Sequence, residues 1–486
     1  MPRCRNERAH RQAHRYQYRT ERDPKDQGGK AAMKKSIRTV LALLLCASFL
    51  AGAAGCAPSG NAGEDAAEAQ TPAGEAAEAS HAEEPYAPSL PSDTAGTIRV
   101  AGHYNNFEAL EAEFDRFNEY YPDIELSYTY LDNYNGTIEV ALSGAEAPDI
   151  FFTYPWMLER EDLKPVVDAA EDLSDPTLGI NLSCIQEKLL YRDADGRIPI
   201  LPVFCTTYGM LVNETIFEKE GLSVPKTYDE LLSVCEALKK AGYSSPMMGY
   251  SRGSFMLHPL SFPYFCAQIQ GNSAALSDLN ALNPGCGEYA RDALALTADF
   301  MGRGYIDMEA CGAIENDYQA VILRFFEGDV PMMLATGGTV SGTEKRESLS
   351  EAYAANPFPY SYHPVPAAEA EEGEGRYFLN QLSMGFSVNR NSGNLDITNE
   401  FMRFLTRTEE LSRMAQIKRM VTPCREMSFD GVYASFGELS GNHVIYLSEV
   451  GLEDAPDKQM RRAGTKICNG SLTLDEAVAD FATLTD

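Results

Sequence analysis

The chain lacks several features that would narrow its chemistry. Its 7 histidines are scattered, and its 11 cysteines include no CxxC pair, so zinc-site and dithiol redox spacings are both missing. No metal or cofactor is expected. Positive charge is in deficit: 41 Lys and Arg stand against 71 Asp and Glu, a net of −30. A body this acidic repels phosphate backbones and anionic lipid heads, which argues against nucleic acid as a partner. No apolar run reaches the ~18 residues that read as a membrane span. There is 1 tryptophan, Trp156, so no surface of several stacked indole rings can be built.

The longest apolar run is Val40–Ala54, after Lys34, Lys35 and Arg38. Its length and small-residue end read as the apolar core of a signal peptide. Ala53-Ala54-Gly55-Cys56 resembles the lipobox of bacterial lipoproteins, with Ala53 where that family usually has Leu. The resemblance implies cleavage before Cys56 and diacylation of its thiol, which anchors the chain to the cell membrane. An ordinary secretory signal with a chance cysteine is the alternative. Residues 1–32 are basic and aperiodic, and Met33-Lys34-Lys35 reads as the true start; a long basic leader from Met1 is the other reading. Residues 1–55 carry a net charge of +8, which leaves −38 on the remainder.

Residues 56–96 are mostly Ala, Glu, Gly, Pro, Ser and Thr, too polar to offset ordering entropy, and read as a lipidated flexible tether. The body, 97–486, exceeds the usual size of one core, so two lobes are expected. It holds 8 cysteines: Cys184, Cys205, Cys235, Cys266, Cys286, Cys311, Cys424 and Cys468. An even count outside the cytoplasm permits disulfides without revealing a pairing. Cys235 falls on an apolar helix face and reads as a buried thiol.

The body opens with alternation over Thr97–Ala101, a strand. Phe107, Leu110, Phe114, Phe117 and Tyr121 then recur at helical spacing, predicting a helix over 106–121. Asn105 and Glu108 have capping-box spacing at its start. Strands follow at 124–130 and 147–152, around a short helix at 135–143. This βαβαβ order implies a parallel sheet, with ligands at the carboxyl ends of its strands. Those ends carry His103, Tyr104 and Asn105, then Tyr154 and Trp156. Asp193–Gly196 is read as a hairpin turn, since neither Tyr191 nor Pro202 suits the ends of a calcium loop. Thr227…Glu230 and Thr473…Glu476 are capping boxes that open further helices.

Several stretches together resemble the extracellular solute-binding proteins of ABC importers, the large group that includes maltose-binding protein. They are Ala147–Phe151, Gly196–Val203, Tyr208–Leu222, Val224–Leu231, Phe326–Gly337, Leu382–Asn389 and Asn469–Val478, in the family's order and spacing. The resemblance spans nearly all of 97–486. It implies an α/β, two-lobe periplasmic-binding-protein-like fold (type II) with hinge strands between lobes. Carried over, lobe 1 is 97–204 and 336–381, and lobe 2 is 205–335 and 382–486. The chain is expected to cross near Val203–Thr206, Leu334–Thr336 and Gln381–Ser383.

In such a protein the solute lies between the lobes, on aromatic rings and polar side chains. Trp156 and Tyr154 could stack on a sugar or simply pack. Tyr104 and Asn105 share the loop after the first strand, where Asn105 could instead cap the helix. Thr207 and Tyr208 follow the first hinge crossing. Gly337 and Gly338 match a place of close backbone approach, though Thr339-Val340 replaces a tryptophan usual in the family. Arg425 could meet an acidic solute or another part of its lobe. The resemblance implies a small-molecule solute, most often a carbohydrate, membrane permease subunits as partners, no catalytic role, and a monomer. Two other readings stay open. Gly249-Tyr250-Ser251-Arg252-Gly253 fits the nucleophile-elbow pattern of serine hydrolases, which requires a strand before it and a helix after it. A binding or sensor lipoprotein with no importer is the second.

Overall fold

The computed structural model describes residues 85–250, 256–314, 318–367, 375–429 and 431–486. The expected leader, the anchor Cys56, most of the tether, and Ser251 lie outside the described residues.

The body begins earlier than composition implies. The tether was expected to continue to Gly96, yet Tyr86 and Ser89 bind one carboxylate, Glu400. Tyr86 donates its hydroxyl at 2.5 Å and the Ser89 N–H donates at 2.9 Å. Tyr86 also meets Tyr120 and Phe404 edge-on, with centroids 5.0 and 5.3 Å apart. One aromatic ring in a run of small residues is enough to dock it.

The first sheet has the order β10-β9-β3-β1-β2, with β4 also paired to β9. Its strands are β1 (Ala95–Gly102), β2 (Asp123–Tyr130), β3 (Ile150–Thr153), β4 (Leu201–Thr206), β9 (Phe378–Val388) and β10 (Val444–Tyr446). β1 pairs in parallel with β2 and β3, as the βαβαβ reading requires. The second sheet has the order β6-β7-β5-β8. Its strands are β5 (Tyr208–Asn213), β6 (Met247–Met248), β7 (Met332–Thr336) and β8 (Tyr360–His363). α-Helices of eight residues or more are labelled: α1 (Glu108–Phe117), α2 (Tyr134–Leu142), α3 (Tyr228–Lys240), α4 (His258–Ile269), α5 (Ser273–Asn280), α6 (Arg291–Arg303), α7 (Tyr318–Phe325), α8 (Leu395–Leu405), α9 (Thr408–Lys418) and α10 (Asp454–Cys468).

α1 is shorter than its apolar spacing predicts. Phe107, in a non-helical conformation, precedes it without a side-chain cap, so the expected Asn105 capping box does not form. At the other end Asn118 donates its amide to the carbonyls of Tyr121 and Ile124, both at 2.9 Å, and turns the chain into β2. Phe117 and Tyr121 are buried all the same. The capping boxes at Thr227 and Thr473 both form.

Strand pairing divides the chain differently from the expected lobes. β8, expected in lobe 1, pairs antiparallel with β5 in the second sheet. β9, whose residues from Leu382 were expected in lobe 2, pairs with β3 and β4 in the first sheet. α8 and α9 pack with α1 on that first sheet. β7 and β8 lie in one sheet, so no strand crosses at Leu334–Thr336. The β4–β5 crossing falls at Thr207, beside the expected place. The resemblance supplied the crossings in order, and the β8–β9 switch has no local sequence mark. All eight body cysteines are free and buried, so the disulfides that an even count permits do not form.

Candidate functional site

Three of the expected residues come together at the carboxyl ends of β1 and β3. His103 links Tyr104 to Tyr154, its ring 5.2 Å from the first and 5.6 Å from the second. The Tyr154 hydroxyl lies 2.5 Å from His103 Nδ1. Tyr154 then stacks on Trp156, centroids 5.6 Å apart and planes at 13°. Tyr104, Tyr154 and Trp156 are half-buried, so the strip keeps an accessible face. The strand ends force this placement. Phe152 points into the core among Phe107, Tyr104 and Tyr134, and the chain leaves the sheet immediately afterwards. Arg160, exposed and paired with Asp162, holds its guanidinium 5.6 Å from the Trp156 ring centre.

Lys418 at the end of α9 was not singled out by sequence. It is 8 % exposed, with its ammonium 4.9 Å from the Tyr104 ring centre and 3.5 Å from Glu108 Oε1. Burial pulls the ammonium below its ordinary pKa, against the pull of Glu108. Asn105 is exposed on the same loop.

The loop that carries Trp156 meets the second lobe at α10. The Asp454 N–H, in the first turn of that helix, donates to the Glu159 carboxylate. One turn further on, Asp457 Oδ1 lies 3.2 Å from His258 Nε2, and Asp457 Oδ2 lies 2.6 Å from Arg461. Burial pushes the Asp457 carboxyl up, but Arg461 and His258 outweigh it and hold the group below its ordinary range. His258 is pushed down by burial. The spacing of Asp457 and Arg461 was readable as a helical ion pair; their meeting with His258, about 200 positions away, was not.

The remaining expected residues do not join the strip. Thr207 is fully buried, and its carbonyl accepts from Gly337 N–H at 2.8 Å. Tyr208 is 8 % exposed and packs edge-on to His258 and Phe262. Gly337 is required by packing: a Cβ there would lie 2.3 Å from Thr206 Oγ1 and 2.9 Å from the Tyr433 hydroxyl. Gly338 has no such neighbour, the nearest atom being Thr336 Oγ1 at 3.6 Å. Arg425 is exposed, and its Nε donates to the Ser183 carbonyl at 2.7 Å, so it meets its own chain rather than the strip. Among the described residues no cluster of three His, Cys, Asp or Glu side chains is placed to hold a metal ion.

An α/β fold built on two sheets with flanking helices is the architecture of solute-binding proteins, and the comparisons agree. The sequence profile of the bacterial extracellular solute-binding proteins matches residues 101–411. That is more than half of the chain, and the chain belongs to this family. Among solved structures, apo RafE from Streptococcus pneumoniae is similar at a TM-score of 0.60 and 17% identity, over 81% of this chain and 98% of that one. A chitin oligosaccharide binding protein is similar at 0.60 and 16%, over 80% and 97%. A sugar transporter from Bacillus licheniformis in complex with stachyose is similar at 0.54 and 16%, over 80% and 98%. No curated protein matches in sequence. No helix of the described residues is long and apolar enough to cross a membrane.

Proposed function

We propose that the chain is the lipid-anchored, extracytoplasmic binding component of an ABC importer, taking a sugar or short oligosaccharide between its lobes and passing it to a membrane permease. The strip Tyr104–His103–Tyr154–Trp156 carries this reading. Aromatic faces at strand ends offer C–H stacking, and His103 and the tyrosine hydroxyls offer hydrogen bonds to sugar hydroxyls. Asp457 and Arg461 supply the polar wall on the second lobe, with the buried His258 behind them. Arg160 swings off the Trp156 ring or bonds to the solute. The similar chitin oligosaccharide binding protein and the stachyose-bound transporter support a carbohydrate.

Closure then follows from differential affinity alone. A solute that touches both walls binds the closed form better and shifts the population toward it. Micromolar binding supplies ~8 kcal/mol, enough to cover closure and retain the solute. Thermal melts over a solute library test the reading. A true ligand at 100 times its Kd adds ~2.7 kcal/mol of stability, and Trp156→Ala should weaken that response at least tenfold. Stabilisation by amino acids or peptides, with none from sugars, would sink it. The anchor is tested separately: labelled palmitate should enter the wild-type chain and not Cys56→Ala.

A further inference from the structure

The two lobes touch at both ends of the aromatic strip. At the Trp156 end, Glu159 accepts from the Asp454 N–H at the start of α10. At the Tyr104 end stands the C-terminus of α9. Lys418 Nζ lies 4.9 Å from the Tyr104 ring centre, and the Lys418 carbonyl accepts from the Gly342 N–H of the second lobe at 3.2 Å. Arg419, the next residue, reaches further across. Its Nη1 donates to Glu347 Oε1 at 2.9 Å, to the Tyr360 hydroxyl at 2.7 Å and to Thr343 Oγ1 at 2.5 Å. Tyr360 opens β8, and 343–347 lies between β7 and β8, so all three partners belong to the second lobe. Tyr360 in turn donates to Glu347 at 2.5 Å.

The backbone singles out Arg419 as well. Its φ is 48°, in the left-handed region, at the position after α9 where glycine is usual. Glycine would adopt this turn freely, but it has no side chain to bridge the lobes. Backbone strain of this kind gathers at switch regions. The guanidinium stays charged at any working pH, and its bond to the carboxylate is charge-assisted. The Arg419 and Glu347 side chains are only 25% and 23% exposed, so salt screens the pair weakly.

We propose that Arg419 and Glu347 form a latch between the lobes, which holds the cleft shut over the aromatic strip and sets how readily it opens. The latch rests on the closing motion described above and not on the identity of the solute. A contact made only in the closed form stabilises that form alone, so breaking it shifts the population toward the open one.

Trp156 is the single tryptophan of the chain and lines no part of the cavity around Arg419, so its fluorescence reports the cleft and not the latch itself. Acrylamide quenching of the full chain, with no solute added, should be stronger in Arg419→Gln and in Glu347→Gln than in wild type, with emission shifted to the red. Loss of the charge-assisted bond should cut the closed-to-open ratio about tenfold. Residues that act through one contact give non-additive effects, so the double variant should be quenched no more than the stronger single one. Arg291→Gln on α6, whose ion pairs with Glu288 and Asp475 take no part in either inter-lobe contact, should match wild type. The two residues stand on different lobes, so misfolding of one variant leaves the other to decide. Quenching unchanged or weaker in both variants, or additive in the double variant, would overturn the latch. Sugars that fail to bind while the variants still open the cleft would overturn the proposed solute and spare the latch.

Discussion

Tyr86 donates its hydroxyl to Glu400, 314 positions along the chain, at 2.5 Å. Tyr121 donates to the same oxygen at 2.7 Å, and the Ser89 N–H at 2.9 Å. The segment before β1 is thus stitched to α8 through one carboxylate. Burial pushes Glu400 up, but the Ser89 and Tyr86 hydrogen bonds outweigh it, and its folded pKa lies below the ordinary value. A depressed carboxyl contributes stability above the unfolded pKa of about 4.3 and loses it as pH falls through the folded value. Glu400→Gln should therefore lower the melting temperature at pH 7, by about 1–3 kcal/mol in free energy. The deficit should shrink below about pH 4, toward the unfolded pKa. A chain that starts at Ala95 should melt lower as well, and combining the two changes should cost less than their sum. Additive losses would mean that Glu400 does not hold the segment.

Glu113 makes the opposite prediction. It has no exposed side-chain surface and hydrogen-bonds Glu410 between Arg116 and Arg413. Burial and the neighbouring Glu410 carboxylate raise its pKa, more than the two arginines can offset. A raised carboxyl favours folding fully below its unfolded pKa, and that contribution is lost as pH climbs toward the folded value. Glu113→Gln mimics the protonated form, so its stability relative to wild type should rise steadily from pH 5 to pH 8. Parallel melting curves across that range would refute a shared proton.

How far the sequence could be read follows from how local each signal was. The parallel β1–β2–β3 unit, the two capping boxes and the aromatic placement of Tyr154 and Trp156 all follow from short-range pattern and strand order. The docking of Tyr86 does not, because one ring in a low-complexity run carries no periodicity. The His258–Asp457–Arg461 contact and the Arg419–Glu347–Tyr360 cluster each join residues far apart in sequence, so nothing local announces them. The lobe boundaries went astray at β8 and β9 for a related reason. Both strands are apolar and well formed, and pattern gives a strand its identity without naming its sheet.

The eight body thiols should be inert in the native chain. All are buried and free. Burial pushes Cys235 and Cys468 up to about 12 and Cys311 to about 11, and the thiolate is the reactive form. Ellman's reagent, on chain lacking residues 1–56, should find less than one thiol within minutes in buffer. In guanidinium without reductant it should find all eight. Fewer in guanidinium would reveal disulfides and contradict the packing.

Gly337 and Gly338 are adjacent, yet they should respond differently to alanine. The first sits where the chain leaves β7, its N–H bonded to Thr207 and its Cα facing Thr206 and Tyr433. A methyl 2.3 Å from Thr206 Oγ1 must push apart the β4 end and the Tyr433 segment. Gly337→Ala should cost about 1–3 kcal/mol, the usual range for overpacking. Because it separates elements at the hinge, it should also change solute affinity. Gly338 is half-buried, lies in the helical turn 337–340 and has room for a methyl. Gly338→Ala should be neutral or stabilise by up to about 1 kcal/mol through the loss of glycine's extra freedom in the unfolded chain. Denaturant melts of the two variants side by side decide the matter. Equal losses at both positions would mean that the glycine pair is held by something other than the close approach of Thr206 and Tyr433.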